Sequence, residues 1–157
     1  MKLIVISGPS GSGKTTLSNQ IIKKIKNGFV LSTDNYYKTG LFSKIFSKFL
    51  EGFFDRSISF NYKLFKKDFD FIYKNGISIN NRYYDFEKKT IQNILNKTNN
   101  IRFLIVEGIF AKEFANTLNN QNYYFFYKIH PSNLSTLLFF LSKRKCNFVL
   151  IRINIYI

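Results

Sequence analysis

The chain has 157 residues, of which 45% are hydrophobic and 21% charged, and its formal net charge is +15. That is enough for one domain with a real core; the single Cys146 excludes a disulfide framework, no Cys/His cluster suggests zinc, and no apolar run reaches the roughly 18 residues needed to span a bilayer. Lys, Asn, Ile, Phe and Tyr crowd the whole chain, so the charge reads as composition rather than a patch; with no RNA-binding signature, neither nucleic acid nor a membrane is expected as a partner.

Met1-Lys2 leads straight into Leu3-Ile4-Val5-Ile6, an apolar run that predicts a first strand. A signal peptide there would be cut inside the segment that follows, so none is read and the cytoplasm is the expected compartment. That segment is Gly8-Pro9-Ser10-Gly11-Ser12-Gly13-Lys14-Thr15-Thr16, and a helical pattern begins at Leu17. The pattern G-x-x-x-x-G-K-[ST] is complete, with Gly8, Gly13, Lys14 and Thr15 in place. Its glycines let the backbone curl so that successive N–H groups face phosphate oxygens, and the helix adds its positive end to the same place. Lys14 brings an ammonium for the β- and γ-phosphates of ATP, and the Thr15 hydroxyl is placed to ligate Mg²⁺. The whole loop from Gly8 to Thr16 is therefore the expected ATP-binding segment.

Lys23, Lys24 and Lys26 suit the negative end of the first helix, and Asn27-Gly28 stops it. Phe29-Val30-Leu31-Ser32 predicts a short buried strand. Functional groups of open α/β sheets sit just past the carboxyl ends of strands, which puts Asp34 toward the phosphate site. A carboxylate there can accept the proton of an attacking hydroxyl. Leu41, Phe42, Ile45, Phe46, Phe49 and Leu50 keep helical spacing and predict an amphipathic helix whose apolar stripe packs inward. A loop with aromatic punctuation follows from Gly52 to Phe60, then a helix from about Asn61 to Tyr73 that ends at Asn75-Gly76. Ile77-Ser78-Ile79 and Arg82-Tyr83-Tyr84-Asp85-Phe86 predict a small hairpin turning at Asn80-Asn81. A polar helix is predicted from about Glu87 to Lys97.

Phe103-Leu104-Ile105-Val106 is a nearly continuous apolar run of the kind found in central parallel strands, and it ends at Glu107-Gly108. An acid at that tip, beside the loop of Gly8–Thr16, can hold Mg²⁺ directly or through water. A helix near Lys112–Leu118, a strand near Tyr123–Ile129, a helix near Asn133–Lys143 and a strand-like stretch Phe148–Ile157 complete the pattern. His130 belongs to no recognisable motif and is read as structural or superficial.

Four blocks in this order resemble the uridine kinase and phosphoribulokinase-like family of P-loop kinases: Gly8–Thr16, Asp34-Asn35-Tyr36-Tyr37-Lys38, Phe54-Asp55 through Phe60, and Tyr84-Asp85-Phe86. Phe103–Gly108 matches the family's later strand ending in Glu-Gly, and the likeness spans about residues 1–113. The resemblance implies a three-layer α/β fold over residues 1–157, with a parallel sheet of about five strands in which the second strand lies at an edge and Phe103–Val106 lies between it and the first. It implies transfer of the γ-phosphoryl group of ATP to a small-molecule alcohol, above all the 5′-hydroxyl of uridine, cytidine or a related nucleoside. Asp34 and Lys14 would be catalytic. Thr15 and Glu107 would attend Mg²⁺, and Tyr37, Asp55, Tyr84 and Phe86 would bind the acceptor.

Where uridine kinases show a His after the Tyr-Asp-Phe block, this chain has Glu87-Lys88-Lys89-Thr90, and Arg56-Ser57-Ile58 stands for the family's His-Pro-Asp. A kinase for another metabolite, of phosphoribulokinase or pantothenate kinase type, therefore stays open. So does a truncated or non-catalytic nucleotide-binding remnant, because no Asp or Glu follows Glu113 and Lys143-Arg144-Lys145 is the one candidate for the family's Arg-rich lid. The chain is expected to be atypical from about residue 126, as a diverged lid and last strand or as a truncated or frame-shifted end. The oligomeric state is open.

Overall fold

The computed structural model describes residues 1–118, 123–127 and 150–152. His130, Cys146, the expected helix at 133–143 and Lys143-Arg144-Lys145 lie outside them, and of the final strand-like stretch only Leu150–Arg152 is described. In chain order the elements are β1 (Lys2–Ser7), α1 (Lys14–Lys24), β2 (Gly28–Ser32), α2 (Leu41–Phe49) and α3 (Tyr62–Asn75). They continue as β3 (Ser78–Asp85), β4 (Thr90–Thr98), β5 (Phe103–Gly108), α4 (Ala111–Asn116), β6 (Tyr123–Tyr127) and β7 (Leu150–Arg152).

Five strands form one parallel sheet in the order β2-β5-β1-β6-β7, so β2 is at an edge and β5 lies between it and β1, as the resemblance implies. A parallel strand covered on both faces must be apolar on both faces, which is why β1 and β5 are continuous apolar runs. Leu3 and Val5 of β1 enter a core with Phe65 and Phe69 of α3 and Phe114 of α4. Ile4 and Ile6 enter a second core with Leu17 and Ile21 of α1. The two cores lie on opposite faces of the sheet, giving helix, sheet and helix layers. No helix among the described residues is long and apolar enough to cross a membrane.

α3 shows how local signals place a layer. Asn61 caps it, its side-chain oxygen accepting from Leu64 N at 3.2 Å, and Gly76 ends it in the left-handed region at φ 64°. Between the caps, Phe65, Phe69 and Ile72 recur at helical spacing and are buried. Phe65 and Phe69 meet Phe114 edge-on at 4.5 and 4.8 Å. Asn61→Ala is expected to cost about 1 kcal/mol, read from the urea midpoint, because one N–H of the first turn loses its acceptor.

The structure corrects three expectations. Ser78–Asp85 is one strand rather than a hairpin turning at Asn80-Asn81. Its partner is β4, so the predicted polar helix at Glu87–Lys97 is a strand instead. Ile91, Ile94 and Leu95 have helical spacing, but Asp85 overrides it: its Oδ1 accepts from Glu87 N at 3.0 Å and Lys88 N at 2.9 Å and so turns the chain back along β3. The apolar stripe of α2 does not pack inward throughout either. Leu41 is 76% and Phe49 82% exposed although Phe46 stacks on Phe53, and among the described side chains of this helix the buried one is Ser43, whose Oγ shares a hydrogen bond of 3.1 Å with the Tyr84 hydroxyl.

Candidate functional site

Register brings the site together. Ile6 pairs with Glu107 and Ser7 with Gly108, while Ser32 of β2 also pairs with Glu107. The loop after β1, the tip of β5 and the segment after β2 therefore emerge side by side at the carboxyl end of the sheet.

The loop after β1 turns through Gly11 at φ 74° and Gly13 at φ 83°, a left-handed pair that a side chain would strain. Gly13 starts α1, whose first turn contains no acid. Lys14 is 8% exposed, and its Nζ donates to the Pro9 carbonyl at 2.7 Å, folded back across the loop. Ser12 Oγ is buried with no hydrogen-bond partner. An orphaned donor, a cation and a helix N-terminus in one glycine-rich loop fit a phosphate group.

Glu107, at the tip of β5, is 2% exposed and accepts from the Thr15 hydroxyl at 3.4 Å. Burial pushes its carboxyl above the usual range and Asp34 adds to this, while Ser32, Lys14 and Thr15 pull the other way. A buried carboxylate touching the P-loop hydroxyl is a donor set suited to a hard divalent cation such as Mg²⁺. Among the described residues no group of three or more His, Cys, Asp and Glu is arranged to hold a metal ion.

Asp34 lies in a short 3-10 turn, Thr33–Asn35, whose start is held by Ser32 Oγ accepting from Asp34 N at 3.4 Å. Burial raises its carboxyl above the usual range; Lys14 opposes that most strongly, and Asp55 reinforces it. Gly108 makes this placement possible. At φ +136° it presents bare backbone, and a Cβ there would lie 1.8 Å from Thr33 Oγ1 and 3.1 Å from Asp34 Oδ1.

The residues expected to bind the acceptor fall into an aromatic cluster and a carboxylate. The Tyr37 ring meets Phe54 at 5.1 Å, Tyr84 at 5.3 Å and Phe86 at 5.5 Å. Tyr37 and Tyr84 are buried within this cluster, and Phe86 is half-exposed at its edge. Burial, then Asp34 and Asp55, push the Tyr37 hydroxyl above its ordinary value, so it stays a protonated donor beside both carboxylates. Asp55 faces the P-loop across a cleft of about 670 Å³ lined also by Ser7, Gly8, Pro9, Ser10, Ile109, Lys112 and Glu113. The structure thus gathers Lys14, Thr15, Asp34 and Glu107, sets Asp55 opposite the loop, and places Tyr37, Tyr84 and Phe86 beside them as one aromatic cluster. The sequence reading missed Lys112 and Glu113, although their place just after a Glu-Gly strand tip could have found them, and it missed why Gly108 is a glycine.

The chain is similar to proteins already known. The family model of the phosphoribulokinase / uridine kinase family matches residues 3–121. A uridine kinase of Borrelia duttonii (strain Ly) is 38% identical over 109 residues, 69% of this chain and 52% of that protein. A uridine kinase of Staphylococcus aureus (strain JH9) is 35% identical over 113 residues, 71% of this chain and 54% of that protein. The chain spans about half the length of the curated relatives it matches. A solved structure of a possible uridine kinase from Bacillus stearothermophilus aligns with a TM-score of 0.60 at 20% identity, over 83% of this chain and 72% of that one, a likeness of fold.

Proposed function

The chain belongs to the phosphoribulokinase / uridine kinase family, and from that membership we propose that it transfers the γ-phosphoryl group of ATP to the hydroxyl of a small-molecule alcohol, most naturally the 5′-hydroxyl of uridine, cytidine or a related nucleoside. The observation that supports this best is the meeting of Asp34, Lys14 and the Thr15–Glu107 pair where β1, β5 and β2 end, with Asp55 across the cleft.

The roles follow from the chemistry each group can perform. Gly8, Pro9, Ser10, Gly11, Ser12, Gly13, Lys14, Thr15 and Thr16 hold the triphosphate, Lys14 leaving the Pro9 carbonyl for a phosphate oxygen. Asp34 takes the proton of the acceptor hydroxyl as its oxygen bonds to the γ-phosphorus; the bond to the β-phosphate oxygen breaks and ADP leaves. Bound Mg²⁺ would neutralise charge on the phosphates, and Thr15 and Glu107 are the residues that would hold it. Asp55 accepts from acceptor hydroxyls, while Phe86, half-exposed and backed by the buried rings of Tyr37 and Tyr84, offers an aromatic face to a flat base.

The test is an assay of the chain with ATP and Mg²⁺ against uridine, cytidine, purine nucleosides, a pentose phosphate and pantothenate. Phosphorylation of a pyrimidine nucleoside above the others is the expected result. Transfer to another acceptor would move the substrate within the family, and ATP binding without transfer to any of them would leave a nucleotide-binding remnant.

A further inference from the structure

One polar chain beside the site has no part in the chemistry proposed above. Arg82 of β3 grips Asp68 of α3 with two prongs, Nε donating to Oδ2 and Nη2 donating to Oδ1 at 3.1 Å. Asp68 Oδ2 also accepts from the Tyr36 hydroxyl at 2.9 Å. The third prong, Nη1, donates to Asn93 Oδ1 of β4 at 2.7 Å. The pair is largely desolvated, with the Arg82 and Asp68 side chains 15% and 21% exposed, so it is less screened than a surface ion pair. Burial and the Asp68 charge keep the Tyr36 proton in place, which fixes Tyr36 as donor and Asp68 as acceptor.

Tyr36 reaches the site through its main chain. It is 2% exposed, its N–H donates to the Thr33 carbonyl at 3.0 Å, and that bond closes the turn containing Asp34. A second tie runs alongside, since Asn35 Oδ1 accepts from Tyr84 N of β3 at 3.3 Å. Strand β3 is therefore fastened to the turn at two neighbouring residues, once by a side-chain amide and once through the Arg82–Asp68–Tyr36 relay.

We propose that Arg82 is a positioning residue: through Asp68 and Tyr36 it holds the Thr33–Tyr37 segment, and with it the Asp34 carboxylate, in register with the hairpin that carries Tyr84 and Phe86. The kinetic side of this rests on Asp34 acting as the base; the structural side does not. Arginine is required because a lysine cannot grip both carboxylate oxygens and reach Asn93 at once.

The test combines amide hydrogen exchange and kinetics on the full chain, for Arg82→Met, Tyr36→Phe and the double variant. Each single variant should speed exchange across residues 34–38 about tenfold and leave α1 unchanged, and the double variant should do no more than either single one, because both cut one relay. In a chain that transfers phosphoryl groups, kcat/KM for the acceptor should fall about tenfold with ATP affinity retained, and Arg82→Lys should recover only part. Unchanged exchange at 34–38, strictly additive effects, or altered exchange with unaltered acceptor kinetics would each overturn the proposal. Should Arg82→Met not fold, Tyr36→Phe decides alone, since it removes one hydroxyl. If the unaltered chain transfers to no acceptor, the function proposed above fails and the exchange result still decides whether Arg82 holds the segment.

Discussion

Asp34→Asn is expected to lower turnover by about 10²-fold or more while leaving ATP affinity unchanged. The amide keeps the size and the hydrogen-bonding shape of the carboxylate but accepts no proton from an attacking hydroxyl. ATP affinity should survive because, in the function proposed, the loop Gly8–Thr16 with Lys14 holds the triphosphate and Asp34 does not. Lys14→Ala is the contrasting arm and should weaken binding and turnover together, since the ammonium faces charge present both before and during transfer. The same Asp34→Asn change should raise the melting temperature of the ligand-free protein at neutral pH. Burial holds the folded-state carboxyl above its ordinary range, with Lys14 offsetting only part. A raised acid is at its most favourable below its unfolded pKa and loses that advantage as pH rises through its folded pKa, so at pH 7 the charged form is a net burden. The gain should shrink as pH falls through that window. Full turnover in the variant would remove Asp34 as base; an unchanged melting temperature at pH 7 would mean its charge is compensated better than burial indicates.

Gly108→Ala is expected to destabilise the fold by about 3 kcal/mol or more and to disorder the Asp34 turn, because it adds left-region strain to an overpacked contact. The added methyl would stand 1.8 Å from Thr33 Oγ1, and Thr33 is fully buried. The hydroxyl is the closest obstacle, so Thr33→Ala on the same background should restore part of the loss. Urea unfolding followed by circular dichroism reads both. A midpoint equal to that of the unaltered chain would show that β5 and the Asp34 turn are not packed as closely as the geometry states.

The parts of the site legible in the sequence were those set by backbone chemistry over short distances. Gly11 and Gly13 advertise a curled loop, Lys14 a phosphate, and the run Phe103–Val106 a strand covered on both faces. Glu107 could be placed because the tips of parallel strands all emerge at the carboxyl end of the sheet. The true extent of the hairpin was not legible, because its second strand, β4, is largely exposed and needs no period-two pattern, and Ile91, Ile94 and Leu95 carry a helical one. Nor was the exposure of α2, whose pattern states that it has an apolar face but not whether anything lies against it. The Gly108–Thr33 contact joins residues 75 positions apart, and spacing along the chain contains no record of it.

The place of β5 between β1 and β2 also sets the order in which the molecule can assemble. β1 and β2 are close in sequence but do not pair with each other; each pairs with β5. While the ribosome has delivered only the first hundred residues, neither strand can form its described ladder with β5, and the β3–β4 ribbon is the sheet pairing available from local contacts. Sheet closure must wait for a strand that arrives late and inserts into a gap, a non-local step of the kind that slows folding and leaves apolar strand edges open meanwhile. A nascent chain of this protein should therefore need protection until residue 108 has cleared the exit tunnel.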